Sequence, residues 1–248
     1  MDIRGSGAGI STRRMANERR QHALWWLLPF LLLSIIALSI LYFFRDHSAS
    51  NWIVLAVGIT VICIWKVADR RTDHWLRLFR NARQGAIAEE HIGTLLAGLG
   101  PDYRVMHDLP TRYGNIDHLV ISREHGLFVI ETKSHRGRVQ LTAEKLTISG
   151  RPAEKNFAAQ VQNNVTWVKQ RLLDHYGIDI WVNAVLVFDR AYVTPMGWWK
   201  GMLVVNSKYL IEQLTHSPKR AVDPRLWIIR SELLEVLATE TTPVSQHR

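Results

Sequence analysis

Thiols are almost absent from this sequence, because Cys63 is the only cysteine among its 248 residues. A disulfide within the chain is therefore impossible, which is typical of proteins that fold in a reducing compartment. A zinc finger built on cysteines is excluded as well. The eleven histidines do not replace them, since no two stand at the H-E-x-x-H spacing of a zinc protease.

Three common signatures of catalysis and cofactor binding are also missing. The sequence has no Walker A loop, no Ser-His-Asp pattern and no glycine fingerprint for dinucleotides. What it has in excess is positive charge, with a formal net charge of +9. This excess favours polyanionic partners such as nucleic acid or an anionic membrane surface, although the flanks of a membrane segment or solvated faces would also supply it.

Two long apolar runs stand near the N-terminus. Residues 23–44 carry no charge and are long enough to cross a bilayer as a helix. Residues 52–65 are short for a full span, but this run reaches residue 68 if Lys66 extends to the interface. The link between the runs is brief, so we predict a transmembrane helical hairpin over residues 23–68 that anchors the chain in the lipid bilayer. A cleaved signal peptide and a pair of soluble core helices are the alternatives.

Basic residues are distributed unequally around the two runs. Many precede the first run or follow the second, whereas the link carries only Arg45. The flanking basic residues are Arg4, Arg13, Arg14, Arg19, Arg20, Lys66, Arg70, Arg71, Arg77, Arg80 and Arg83. The positive-inside rule therefore predicts an inner or plasma membrane protein with both termini and the C-terminal domain on the cytoplasmic side.

Composition divides the chain into five predicted segments. They are a basic tail over 1–22, the hairpin over 23–68, a basic juxtamembrane linker over 69–84, a domain over 85–240 and a tail over 241–248. Within the domain, apolar periodicity predicts helices near 85–99, 156–176, 207–214 and 223–238, and strands near 103–109, 115–121, 127–133, 181–189 and 201–206. A hairpin-like pair of strands is predicted over 138–152, and Ser207 is expected to cap the third helix. This order predicts an α/β fold with a mixed sheet.

Charged residues interrupt two otherwise apolar strands of this domain. Asp117 stands in the first strand, and Glu131 and Lys133 stand in the second. The short link between the strands suits a hairpin. If Ile121 pairs with Leu127, then Asp117 faces Glu131 with Cβ atoms about 4.5–5.5 Å apart. Lys133 shares the face of Glu131, because strand side chains alternate.

Two adjacent carboxylates repel each other unless a proton or a cation lies between them. Mg²⁺ suits this position, because it is a hard cation that binds few carboxylates and keeps ligand positions for water and phosphate; Mn²⁺ is the second choice. The lysine can stabilise charge on a phosphorane or help to deprotonate water. The plainer alternative is a cross-strand salt bridge on a solvated face of the sheet.

Asp117 followed by Glu131-Thr132-Lys133 resembles the D…(D/E)-x-K signature of the PD-(D/E)xK nuclease superfamily. The wider string IDHLVIS…GLFVIETKSHRGRV, within residues 116–139, is similar to the nuclease-related domain family, often called NERD. The resemblance covers roughly residues 80–190. It implies a restriction-endonuclease-like mixed-sheet domain.

Two flanking motifs of that family are matched in part. The G-x-x-G-E-like element reads Gly85 to Glu89 here, with Ala88 in place of the second glycine and Glu90 as the acidic residue if the register slips by one. The N-P-x-x-Q element reads NFAAQ, and Phe157 replaces its proline. Both departures affect turn residues rather than chemical groups.

The resemblance also implies a set of site residues. Glu89, Asp117 and Glu131 would hold Mg²⁺, Lys133 would serve phosphodiester hydrolysis, and Gln160 would orient the substrate or the attacking water.

A basic cluster follows the second charged strand. His135, Arg136 and Arg138 are predicted to bind a nucleic-acid backbone, with a solvated turn as the alternative. Together these features predict a membrane-anchored, Mg²⁺-dependent nuclease acting on DNA or RNA. The alternative is a catalytically inactive nuclease-like module that binds nucleic acid or protein at the membrane.

Overall fold

The structure is a computed structural model that describes residues 7–43, 50–153, 156–220 and 222–228. Two compact units make up the chain. One comprises residues 11–84, and the other comprises residues 85 onward together with the first residues of the chain. The predicted tail over 241–248 and most of the predicted link between the apolar runs lie outside the described residues.

The first unit contains a long helix and most of a second. Helix α1 (Ile10–Phe43) begins inside the segment that the sequence assigned to a basic tail. Helix α2 (Ser50–Ala97) continues through the segments predicted as a second apolar run, a linker and an amphipathic helix. The helix is continuous through residues 69–84, a stretch that contains neither glycine nor proline.

Two side-chain contacts join the helices within this unit. Arg19 donates to the carbonyl of Leu78 at 3.2 Å, and the indole of Trp65 donates to the hydroxyl of Ser34 at 3.1 Å. The partner number in α2 falls as the number in α1 rises, so the two helices run antiparallel.

One helix in the described part of the chain is long and apolar enough to cross a membrane. It covers Ile10–Ile40, reaches a mean hydropathy of 2.3 and has only 6% of its most apolar window buried. A signal sequence near the N-terminus can be equally long and apolar, so the two-helix membrane hairpin stays a prediction.

The second unit is built on a mixed sheet of eight strands. The strands are β1 (Tyr103–Thr111), β2 (Gly114–Ser122), β3 (Gly126–Leu141), β4 (Leu146–Ile148), β5 (Arg151–Pro152), β6 (Val182–Thr194), β7 (Gly197–Trp199) and β8 (Met202–Asn206). The order across the main sheet is β1-β2-β3-β6-β8-β7, with β4 on β3 and β5 on β4. The pairs β3–β6 and β6–β8 are parallel, and the others are antiparallel. The predicted α/β class with a mixed sheet is confirmed.

Helices cover both faces of this sheet. On one face lies α3 (Phe157–Tyr176), whose Trp167, Val168 and Leu172 pack on apolar residues of β2 and β3. On the other face, the end of α2 and α4 (Ser207–Thr215) pack on the opposite side chains of the same strands. Strand β6 is buried from Val182 to Phe188, as expected of a central strand that is covered on both sides.

Two predicted helix starts need comment. The side chain of Asn206, rather than Ser207, caps α4 by accepting from the backbone N–H of Lys208 at 2.9 Å. Asp223 accepts from the N–H of Arg225 at the start of α5 (Arg225–Ile228). The rest of the helix predicted over 223–238 lies outside the described residues.

Candidate active site at a fork in the sheet

Strands β2 and β3 stop pairing with each other before either strand ends. Their ladder includes the predicted pair Ile121–Leu127 and stops at His118–Ile130. Beyond that point β2 stays paired with β1 as far as Gly114, whereas β3 stays paired with β6 as far as Gln140. The sheet therefore forks into two ribbons, and Asp117 and Glu131 are the first residues past the fork.

Past the last paired residues of β2 and β3, a side chain supplies the hydrogen bond that links the two strands. The carboxylate of Asp117 accepts a hydrogen bond from the backbone N–H of Thr132 at 2.6 Å. This contact ties the start of one ribbon to the start of the other, and it holds Asp117 beside Glu131.

Glu131 lies at the base of the fork and is only 4% exposed. Its Oε1 accepts from the ammonium of Lys133 at 2.6 Å and from the amide of Gln160 at 2.7 Å. Lys133 also donates to the side-chain oxygen of Gln160 at 3.2 Å. The predicted residues Glu131, Lys133 and Gln160 are thus brought together, and the alternative of a salt bridge on a solvated face does not describe this buried pair.

The second carboxylate oxygen of Glu131 is buried and accepts no hydrogen bond from the described residues. A buried carboxylate oxygen without a donor is costly unless a proton or a cation meets it. Protein groups therefore bind one carboxylate oxygen of Glu131, and the other oxygen is available to a ligand.

The pKa of Asp117 lies well above its ordinary value. Burial is the main cause, and the negative charges of Glu131 and Glu89 add to it. The N–H of Thr132 and the charge of Lys133 act in the opposite direction. Glu89 is buried on α2, whereas Glu90 is half-buried, so Glu89 is the helix carboxylate whose charge reaches the site.

These carboxylates fit a hard divalent cation in their donor chemistry. The open oxygen of Glu131 and the repulsion at Asp117 would both be relieved by such an ion. Among the described residues, no three His, Cys, Asp or Glu side chains form a group that could hold a metal. The three-carboxylate set with Glu89 therefore stays a prediction.

Comparison with protein families identifies the domain that contains this fork. The family model of the nuclease-related domain matches residues 84–189. This chain contains a nuclease-related domain. The match includes Glu89, Asp117, Glu131, Lys133 and Gln160, and it confirms the resemblance seen in the sequence. No curated protein and no solved structure matches the chain.

A nuclease-related domain implies a nuclease-like module with a divalent metal as its cofactor. The nuclease-related domain here departs from the family pattern at Phe157, the first residue of α3. The ring is 5% exposed and lies 4.8 Å from the ammonium of Lys133. Phe157 therefore forms an apolar wall and a cation–π partner for that lysine.

Asn156 positions the start of α3. Its side chain accepts from the N–H of Ala159 at 3.0 Å, and its carbonyl accepts from the N–H of Gln160 at 3.2 Å. The family motif is thus a helix start that carries Gln160 to Glu131. Its asparagine is the N-cap, and its glutamine comes one turn later.

Removing this cap should loosen the first turn of α3. Asn156→Ala is expected to lower the free energy of unfolding by about 1 kcal/mol, whereas Asn156→Asp, which keeps the acceptor, should cost much less. Urea unfolding of both variants checks this. Equal stability of the alanine variant and the unmodified protein would contradict the role given to the cap.

The predicted nucleic-acid-binding residues do not lie on one surface. The ring of His135 packs near Phe157 and Phe188, with centroids 5.6 and 6.3 Å away. Arg136 and Arg138 are exposed, and they precede Val139, whose side chain is buried in the same core as Phe157. Because strand side chains alternate, the two arginines point to the side opposite from Val139.

A pair of histidines went unnoticed in the sequence. His118 is fully buried, and its Nδ1 lies 2.8 Å from the Nδ1 of His107 on β1. Burial, together with a smaller repulsion from His107, lowers the pKa of His118 to about 3. Burial likewise lowers the pKa of His107. The sequence signal was the alternation of His118 away from Asp117, but its partner could not be identified without the register of β1.

Proposed function

We propose that this chain is a membrane-anchored nuclease that hydrolyses phosphodiester bonds of DNA or RNA with Mg²⁺, or Mn²⁺ in its place. The supporting observation is the arrangement at Glu131. Protein donors hold one oxygen, the other oxygen is buried without a donor, and Asp117 lies alongside. A purely structural carboxylate would have both oxygens satisfied.

Each residue has a role that its surroundings support. Asp117 and Glu131, with Glu89 nearby, would hold the cation. Lys133 lies against Glu131 and Gln160 with its side chain only 13% exposed, so its charge is little screened. There it would stabilise negative charge that develops on the phosphoryl group, or help to deprotonate water. Gln160 holds Lys133 and Glu131 in register and would orient the substrate or the attacking water.

The chemistry that a divalent cation supplies at such a site is polarisation of a phosphoryl oxygen. The contribution of the chain is to prearrange donors and exclude bulk water, since Glu131 and Phe157 are almost wholly buried.

Incubation of the purified full chain in detergent with labelled DNA and RNA tests this proposal. Cleavage is expected with Mg²⁺ and not with a chelator. A pure and folded protein that cleaves neither nucleic acid under any divalent metal would overturn it.

Membrane anchoring by residues 23–68 is supported by the exposed apolar helix α1 and by its antiparallel contacts with α2. Basic residues on both outer flanks support an inner or plasma membrane location with both termini in the cytoplasm. A reporter that is active only in the cytoplasm should therefore work when fused at residue 1 or at residue 248. A stable but inactive fusion at either end would contradict the hairpin.

The second candidate is a nuclease-like module that binds nucleic acid or protein at the membrane without cleaving. It is favoured by the lack of a three-ligand group among the described residues. Binding of labelled oligonucleotide without cleavage, at every divalent metal tested, would support it.

A further inference from the structure

Past the fork, β3 and β6 continue as a ribbon with one exposed side, and β4 joins the other edge of β3 from Val139 onward. Their ladder pairs Arg136 with Arg190 and Arg138 with Tyr192. Residues that face each other on paired strands point to the same side of the sheet. All four side chains are exposed, and we refer to them as the ribbon face. The sequence had shown only Arg136 and Arg138, because the parallel partner strand comes much later in the chain.

The opposite side of this ribbon is buried. Val139, Ala191 and Val193 belong to the same apolar cluster as Phe157, beside the candidate active site. The ribbon face is therefore carried by a packed element rather than by a free loop, so its side chains start from fixed positions.

Charge on the ribbon face is in excess. Arg136 stands directly opposite Arg190, and like charges at such positions destabilise a sheet. Among the described residues, Asp189 is the one carboxylate in an ion pair with these arginines: its side chain is 7% exposed, pairs with His91 and lies 3.8 Å from the Nε of Arg190. It cannot neutralise the remaining arginines. An anion between them would relieve the repulsion, and guanidinium groups bind phosphate oxygens in a bidentate manner.

An aromatic ring lies among these arginines. Tyr192 is 63% exposed, and the guanidinium of Arg138 lies 5.9 Å from the centre of its ring. Exposed aromatic rings next to cations are the elements on which single-stranded nucleic acids stack. In a duplex the bases are already stacked on each other and offer no free face to such a ring.

We propose that the ribbon face is a docking surface for single-stranded nucleic acid. A base stacks on Tyr192, and the arginines bind the flanking phosphates. This inference rests on the proposed function, because it supplies the substrate for the same site, but binding can be measured without cleavage.

The test is fluorescence anisotropy with the full chain in detergent and a chelator present, so that metal-dependent cleavage does not occur. The probes are labelled oligothymidylate, oligouridylate and a duplex of mixed sequence. Tyr192→Ala should weaken binding of the single strands about 5- to 100-fold, while Tyr192→Phe keeps the affinity. Arg138→Gln should reduce the slope of log affinity against log salt by about 0.7.

The other end of β6 offers a matched control. There Arg220 lies 4.8 Å from the ring of Trp181, which is 56% exposed. Trp181→Ala and Arg220→Gln remove the same kinds of group and should leave binding unchanged. Arg190→Gln should weaken binding while the melting temperature stays equal or rises, because a like-charge pair is removed. If Arg190 served only to stabilise the fold, Arg190→Gln would lower the melting temperature and leave binding unchanged.

Three results would overturn the proposal: unchanged binding by Tyr192→Ala, equal loss in the control variants, or a duplex bound as tightly as the single strands. Inorganic polyphosphate that displaces the oligonucleotide equally well from the unmodified protein and from Tyr192→Ala would also overturn it, since charge alone would then explain binding. Binding that depends on Tyr192 without any cleavage under Mg²⁺ would reject hydrolysis and leave the docking surface standing. Cleavage that does not depend on Tyr192 would reject only the docking surface.

Discussion

Replacing Lys133 with alanine should lower the rate of phosphodiester cleavage about 100-fold or more. The ammonium donates to Glu131 and Gln160 in a water-poor site, so no other described group can supply its charge at the same place. Glu131→Gln and Asp117→Asn should be as damaging, because each removes a negative charge that the cation would need. Initial rates on labelled DNA and RNA with Mg²⁺ measure all three.

Lys145→Ala is the matched control, because this lysine is exposed on the loop after β3. It should cleave at the rate of the unmodified protein. If Lys133→Ala retains more than a few per cent of the activity at unchanged Mg²⁺ dependence, then Lys133 takes no part in the reaction. If all variants, the unmodified protein included, are inactive, then the non-enzymatic alternative stands.

The second large effect is on stability, and it separates the roles of the three charged residues. Saturating Mg²⁺ should stabilise the unmodified protein by about 2.7 kcal/mol at a concentration 100 times the dissociation constant. This corresponds to a rise of about 5 to 10 °C in melting temperature for a domain of this size. Asp117→Asn should lose most of that rise. Without metal it should be as stable as the unmodified protein or more stable, since a buried and repelled carboxylate is gone.

Lys133→Ala should behave differently in the same melting series. Without metal it should lose up to about 3–5 kcal/mol, because Glu131 keeps its buried charge and loses its cation. Mg²⁺ should restore more stability in this variant than in the unmodified protein, since a competing positive charge has been removed. An equal rise in all three proteins would reject Asp117 as a ligand. No rise in any of them would reject the metal site.

Local patterns were enough to predict the chemical core of this site. Alternation along the strand placed Glu131 and Lys133 on one face, and the link length set the pairing of Ile121 with Leu127. Both depend on neighbours within about twenty residues, where strand geometry leaves few choices. The helix predicted over 156–176 followed from the same kind of local rule, and the structure has it as α3 over Phe157–Tyr176.

What the sequence could not reveal depends on distant partners. No sequence feature near β3 indicates that β6 will run parallel to it, so the pairing of Arg136 with Arg190 could not be predicted. The fork has the same cause, because it depends on the pairing of β2 with β1 and of β3 with the distant strand β6. Phe157 was judged only as a missing proline, although its ring lies against Lys133. The continuity of α2 was missed because residues 52–68, 69–84 and 85–99 differ in composition and were treated as separate segments.

The late position of β6 also matters while the chain is being made. Strand β6 lies between β3 and β8 in the sheet, yet it leaves the ribosome long after β3. Until then the nascent chain exposes an unpaired, apolar strand edge, which invites pairing with other chains. Glu131 meanwhile lacks Gln160, because α3 is also translated later. Translation that ends early would therefore yield aggregation-prone fragments in which the candidate active site is incomplete.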